Sequence, residues 1–194
     1  MAEISSKITY FLKPGKENTE RVLELAGEKA KELHLSTILV ASTTGFTAAR
    51  AVGMFPGLNI VVVTHAAGYM EADAQEFDPA VRSQVEAAGA RVLTAQHTFA
   101  GVNRAIRQTL GGYQPDEIIA SVLRLFGQGM KVVCEIAMMA ADAGLVSCKT
   151  PLIAVAGTHR GADLGVVLIP ANSSRFFDLE IIEIFCMPSR HHPE

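Results

Sequence analysis

The densest run of chemically capable residues is Ala41-Ser42-Thr43-Thr44-Gly45-Phe46-Thr47-Ala48. Three consecutive hydroxyl residues and a glycine stand between a β-rich run, Thr37–Ala41, and a helical pattern over residues 44–54. A helix start leaves its first N–H groups without intrahelical acceptors and carries the positive end of the helix dipole. Hydroxyl donors gathered at that point make a phosphate cradle, with contacts expected from Ser42, Thr43, Thr44, Gly45, Phe46 and Thr47. Glycine in the first turn is expected to let an anion approach the backbone closely. No Gly-Lys-Ser/Thr follows, so the segment is not a nucleotide-hydrolysing P-loop. The competing reading is a plain N-cap by Thr43 or Thr44. A cap needs one hydroxyl, whereas four stand here, and the pattern favours a ligand.

Three further segments could reach the same ligand. His65 follows the run Asn59–Thr64 and would sit outside the carboxyl end of a parallel strand, where open α/β sheets bind ligands. As a general base it would need a partner, and no partner is legible. Gly157-Thr158-His159-Arg160-Gly161 follows another apolar run, with glycines at 157, 161 and 165. It reads equally as a phosphate or ring contact and as a wide hairpin whose glycines serve turns. Gly127-Gln128-Gly129, with Lys131 just beyond, lacks the third glycine and the preceding strand of a dinucleotide fingerprint. It reads as a helix break that a ligand could approach. Glu71, Asp73, Glu76 and Asp78 read as a solvated loop, and no metal site is expected. His97, Cys134 and Cys148 are assigned to packing. No Ser-His-Asp, HExxH or CxxC pattern is present, so no catalytic residue is assigned.

The elements that must position these residues alternate. A strand over 8–12 precedes a helix over 17–34, with Val22, Ala26, Ala30 and Leu33 on one face and a Glu17–Arg21 charge pair. Strands at 37–41, 59–64 and 91–95 alternate with helices at 44–54 and 79–88. Helices over 99–110, 115–126 and 130–143 follow. The last is apolar apart from a stripe of Lys131, Glu135 and Asp142, which implies deep burial or a subunit interface. The runs at 152–156 and 165–169 are about eight residues apart. A parallel crossover needs a dozen or more, so this pair must be antiparallel. With a last strand at 180–186, the fold expected is α/β: a three-layer αβα domain over residues 1–194, mainly parallel with an antiparallel edge.

Apolar residues make up 49% of the 194 and charged residues 19%, which excludes a disordered chain. The net charge is −3 and the 17 Lys and Arg are scattered, so no nucleic-acid partner is expected. No uncharged apolar stretch is long enough to span a membrane, and the first residues do not form a signal peptide. Three cysteines without zinc spacing suit a reducing compartment. A cytoplasmic protein, possible as a homo-oligomer through the 130–143 helix, is therefore expected.

Residues 42–50 (STTGFTAAR), 154–171 (AVAGTHRGADLGVVLIPA) and 176–188 (FFDLEIIEIFCMP) resemble the free-standing archaeal and bacterial proteins related to the pyruvate kinase C-terminal domain. The resemblance covers nearly the whole chain. In pyruvate kinase the corresponding loop binds the phosphate of an allosteric sugar. The free-standing relatives lack the catalytic barrel and hold flavin mononucleotide (FMN). The resemblance therefore implies phosphate contacts from the 42–47 loop, and ring or ribityl contacts from His65, Gly127, Gly129, Lys131, Gly157, Thr158 and His159. It implies a binder of FMN or another small phosphorylated ligand and not a pyruvate kinase, since no barrel pattern is present. The alternatives are a flavin-dependent oxidoreductase and an oligomerising module without a ligand.

Overall fold

The apolar runs of the sequence become a sheet covered on both faces. Its strands are β1 (Thr9–Phe11), β2 (Thr37–Ala41), β3 (Asn59–Val63), β4 (Arg91–Leu93), β5 (Leu152–Ala156), β6 (Leu164–Ile169) and β7 (Glu180–Pro188). The helices are α1 (Thr19–Glu32), α2 (Phe46–Met54), α3 (Pro79–Ala87), α4 (Val102–Leu110), α5 (Pro115–Leu123) and α6 (Gln128–Asp142). The computed structural model describes residues 3–189. The strand order is β1-β7-β6-β5-β2-β3-β4. All neighbours pair in parallel except β5 with β6 and β6 with β7, so the reversal is confined to one side of the sheet.

Successive residues of a strand face opposite sides, and here both sides are apolar. Ile38, Val40, Ile60, Val62, Ile153 and Val155 pack under α1, α2 and α3 with Val22, Leu23, Ala48, Ala51 and Val85. Their neighbours Leu39, Val61, Val63, Leu152, Ala154 and Ala156 pack under α5 and α6 with Ala120, Val133, Ile136, Ala137 and Met138. That arrangement makes three layers, as the run pattern predicts. The turn between β5 and β6 closes with Ala156 opposite Leu164, the antiparallel geometry its short length requires.

Several local expectations shift. Arg21 pairs with Glu24 at 2.8 Å and Glu28 at 3.3 Å rather than with Glu17, and Leu33 is exposed. The helix expected from residue 44 starts at Phe46, because Gly45 takes a left-handed conformation at φ 98°. The helix expected from residue 99 starts at Val102, since Phe99 leaves the helix face to pack in the core under α6. Helix α6 begins at Gln128, and Lys131 and Glu135 are themselves buried. Its apolar surface is covered within one chain, so it does not call for a partner subunit. No helix among the described residues is long and apolar enough to cross a membrane.

Gly165 lies in β6 opposite Cys186, and a Cβ added there would overlap the Phe185 ring and lie 3.1 Å from Cys186 Sγ. Gly165→Ala should therefore overpack the core and lower stability by about 1–3 kcal/mol. Pairing it with Phe185→Leu should restore part of that loss in urea unfolding. An unchanged urea midpoint for Gly165→Ala would contradict the close packing described.

Candidate functional site

The parallel register brings four chain segments to one edge. Ala41 pairs with Val63 and Val63 with Leu93, while Val40 pairs with Val155. The residues just past those strand ends therefore emerge together. The Ser42 N–H donates to Val63 O at 3.0 Å and the Thr64 N–H to Leu93 O at 2.9 Å, which extends the ladder into the loops. Between the start of α2 on one face and α6 on the other lies a cavity of about 600 Å³. That volume is within the range of small-molecule sites.

The 42–47 loop forms one wall. Gly45 is the N-cap residue of α2 and supplies no side chain, so neither Thr43 nor Thr44 caps the helix. The Ala48 N–H donates to Ser42 Oγ at 3.3 Å and the Ala49 N–H to Gly45 O at 2.9 Å. Phe46 and Thr47 precede them in the first turn, where an N–H has no carbonyl one turn back. Thr43, Thr44, Phe46 and Thr47 line the cavity. Two cations lie over the Phe46 ring, Lys16 Nζ at 4.1 Å and the Arg50 guanidinium carbon at 3.6 Å from its centre. These add positive charge beside the loop.

A second wall is the β5–β6 turn. Asp163 is fully buried, and its Oδ2 accepts from the Gly15 N–H at 2.9 Å and the Thr158 N–H at 3.1 Å. The Ala162 N–H donates to Thr19 Oγ1 at 3.0 Å. The turn is thus clamped to the N-terminal segment that carries Lys16. Gly161, at φ 85°, packs with its Cα against Lys16, where a Cβ would come within 2.6 Å of the Lys16 Cα. Gly157, Thr158, His159 and Arg160 face the cavity. This segment is a hairpin turn, and it also lines the cavity.

The third wall is titratable. His65 Nδ1 donates to Glu76 Oε2 at 2.6 Å, while Nε2 lies 3.4 Å from Thr43 Oγ1. Its ring lies 4.3 Å from Tyr69, which stacks on His97 at 4.8 Å and 16°. His97 accepts from the Ala66 N–H at its Nε2 and faces Glu135 with its Nδ1 at 3.4 Å. Glu135 is also paired with Lys131 and accepts from the Phe99 N–H at 3.0 Å. Burial pushes the Glu135 carboxyl up, but His97 and Lys131 more than offset it and hold it at about 2. Burial likewise pulls the His65 imidazolium below its ordinary value, against the upward pull of Glu76.

The structure thus gathers Ser42, Thr43, Thr44, Phe46, Thr47, His65, Lys131, Gly157, Thr158 and His159 around one cavity. Gly45, Gly127 and Gly129 do not line it. A Cβ on Gly45 would meet Val81 Cγ1 at 2.6 Å, so its Cα faces α3 and not the ligand space. Gly129 is held against Leu164 by close packing, and Gly127, at φ 109°, starts α6. Sequence reasoning missed Glu76, His97, Glu135, Tyr69 and Asp163. His97 is not merely packing, and Glu76 is not merely a solvated loop residue. The signal that could have found Glu135 is a pair of charges one turn apart, at 131 and 135, on an otherwise apolar helix. No group of three or more metal-ligating side chains occurs among the described residues.

A family model described as pyruvate kinase, alpha/beta domain, matches residues 20–168. The chain is similar to a pyruvate kinase from Cryptosporidium parvum, at 19% identity over 79% of this chain and 23% of that one, with a TM-score of 0.42. A second crystal structure described as Cryptosporidium parvum pyruvate kinase matches at 19% identity over 74% and 21%, TM-score 0.37. The same organism's enzyme in complex with ADP matches at 18% over 86% and 23%, TM-score 0.39. The chain spans less than a quarter of the length of these enzymes.

Two consequences of the site's electrostatics are measurable. With a folded pKa below 6.5, His65 binds a proton more weakly in the native state than in the unfolded one. The unfolded chain therefore holds more protons in the interval below 6.5, and its share of stability is lost as pH falls through that interval. His65 should titrate by NMR with a midpoint below 6.5, and a midpoint above it would contradict the burial argument. Separately, Glu135→Gln should cost about 3 kcal/mol by leaving Lys131 buried without its counter-charge. Adding Lys131→Met should recover most of that in chemical unfolding. If the double variant is no more stable than Glu135→Gln alone, the pair is not coupled.

Proposed function

The chain belongs to the pyruvate kinase alpha/beta-domain family, and on that premise we propose that it binds a small phosphorylated ligand, FMN foremost, with the phosphate on the 42–47 loop. One observation carries the reading. The start of α2, where Phe46 and Thr47 open the first turn beside the hydroxyls of Thr43 and Thr44, opens into the same cavity as Lys131, His159 and Arg160. An anion there would meet backbone donors, the helix dipole and the Arg160 guanidinium at once. At about 600 Å³ the cavity has more room than a phosphate alone needs. Beyond the loop its lining turns to Tyr69, Ile136 and Met139, an aromatic and apolar surface suited to a flat ring. The function we assign to this site is ligand binding.

Titration by flavin fluorescence tests this. FMN should bind, and riboflavin, which lacks the phosphate, should bind at least about tenfold more weakly. Thr44→Asp would set a carboxylate against the phosphate at the cavity wall. Acidic residues are tolerated at a helix start, so the fold should persist while FMN affinity drops about a hundredfold, ~2.7 kcal/mol. Equal affinity for FMN and riboflavin, or a Thr44→Asp protein that binds FMN unchanged, would remove the phosphate from the loop.

A further inference from the structure

We propose that His65 is a phosphoryl acceptor, taking a phosphoryl group on Nε2 from a reactive phosphate seated on the 42–47 loop. The proposal rests on the phosphate-cradle reading above and adds a covalent step to it.

Geometry carries it. A carboxylate oxygen only accepts, so the 2.6 Å contact with Glu76 Oε2 fixes the His65 proton on Nδ1. Nε2 is left with its lone pair, and it points toward Thr43 Oγ1, 3.4 Å away, inside the cradle. A phosphoryl group held by the hydroxyls of that loop would therefore lie beside an unprotonated ring nitrogen. The ring cannot swing freely: Tyr69 lies against it at 4.3 Å, and His97 meets it edge-on at 5.3 Å. Burial, which keeps the imidazole neutral, suits the same role. Histidine, so oriented, is a competent nucleophile for covalent catalysis.

The step balances without further groups. The Nε2 lone pair forms the N–P bond, and the P–O bond to the leaving group breaks, its electron pair departing with that oxygen. The Nδ1 proton stays where it is, so positive charge develops on the ring, facing the Glu76 carboxylate. Arg160, which shares the cavity, is the side chain that would offset charge on the phosphoryl oxygens. Acyl phosphates fit best, because a carboxylate leaving group needs no proton. Glu76 acts as the positioning residue, by fixing the tautomer and balancing the ring charge.

The test is to incubate the full chain with radiolabelled acetyl phosphate. Expected is a label that is acid-labile and base-stable, maps to His65 by mass spectrometry, and forms more slowly when FMN occupies the site. His65→Asn should abolish it. Glu76→Gln should slow it by at least about tenfold, with near-UV circular dichroism confirming an intact fold. Acid-stable label on Thr43, or label on His97 or His159 instead, would overturn the proposal. No label on a protein that binds FMN would overturn it while leaving the cradle intact. No label and no FMN binding would overturn both.

Discussion

The hydrogen bonding of β2 between β3 and β5 is the constraint on which the site depends. From β2 the chain moves through α2 to β3 on one side. Its other neighbour, β5, comes only after four more α-helices. The loops that leave the carboxyl ends of β2 and β5 are therefore drawn to opposite sides, and a crevice opens between them. This is the switch-point geometry of open α/β sheets. It places a helix start and the β5–β6 turn across a gap without any side chain having to specify that meeting. Backbone pairing thus determines where the site is, and side chains determine only what it can hold.

Within that frame, the charged residues of α6 are hard to explain by stability alone. Lys131, Glu135 and His97 are all buried, and a buried ion pair is commonly no better for stability than apolar residues of the same size. Glu135 is satisfied from several directions: by Lys131, His97 and the Phe99 N–H. Such a fully partnered network fixes a unique arrangement. Here it holds His97, which in turn supports Tyr69 and meets the Ala66 N–H beyond His65. The polar groups in the core thereby stiffen the titratable wall of the cavity from behind.

The fold was legible because its signals are local or arithmetical. Continuous apolar runs at 38–40, 60–63 and 152–156 must be strands buried on both faces, and a turn of about eight residues leaves the 152–169 pair no parallel alternative. The 42–47 loop was legible for the same reason, since strand end, hydroxyls and helix start are adjacent in the sequence. The rest of the site was not. His65 and Glu76 lie eleven residues apart in an irregular loop, and His97 and Glu135 are 38 positions apart. No period or spacing links such pairs; only the sheet register brings them together. The side to which a glycine faces was equally illegible. Gly45, Gly129 and Gly161 look alike as loop glycines, yet each abuts a different neighbour.

Those glycines carry the last step. A glycine beside a phosphate-binding segment invites the reading that it makes room for the ligand. At Gly45 it makes room for Val81 and Phe77, while its left-handed conformation ends the 42–45 turn where α2 begins. At Gly161 it admits the Lys16 backbone, and that contact brings Lys16 over Phe46. At Gly129 it seats the start of α6 on Leu164, and so sets the height at which Lys131 enters the cavity. In each case the missing side chain acts on packing first, and reaches the site only through the element that packing aligns. The cavity is thus shaped largely by contacts outside it, and a substitution at Gly45 or Gly129, neither of which lines it, would alter the site without touching a ligand.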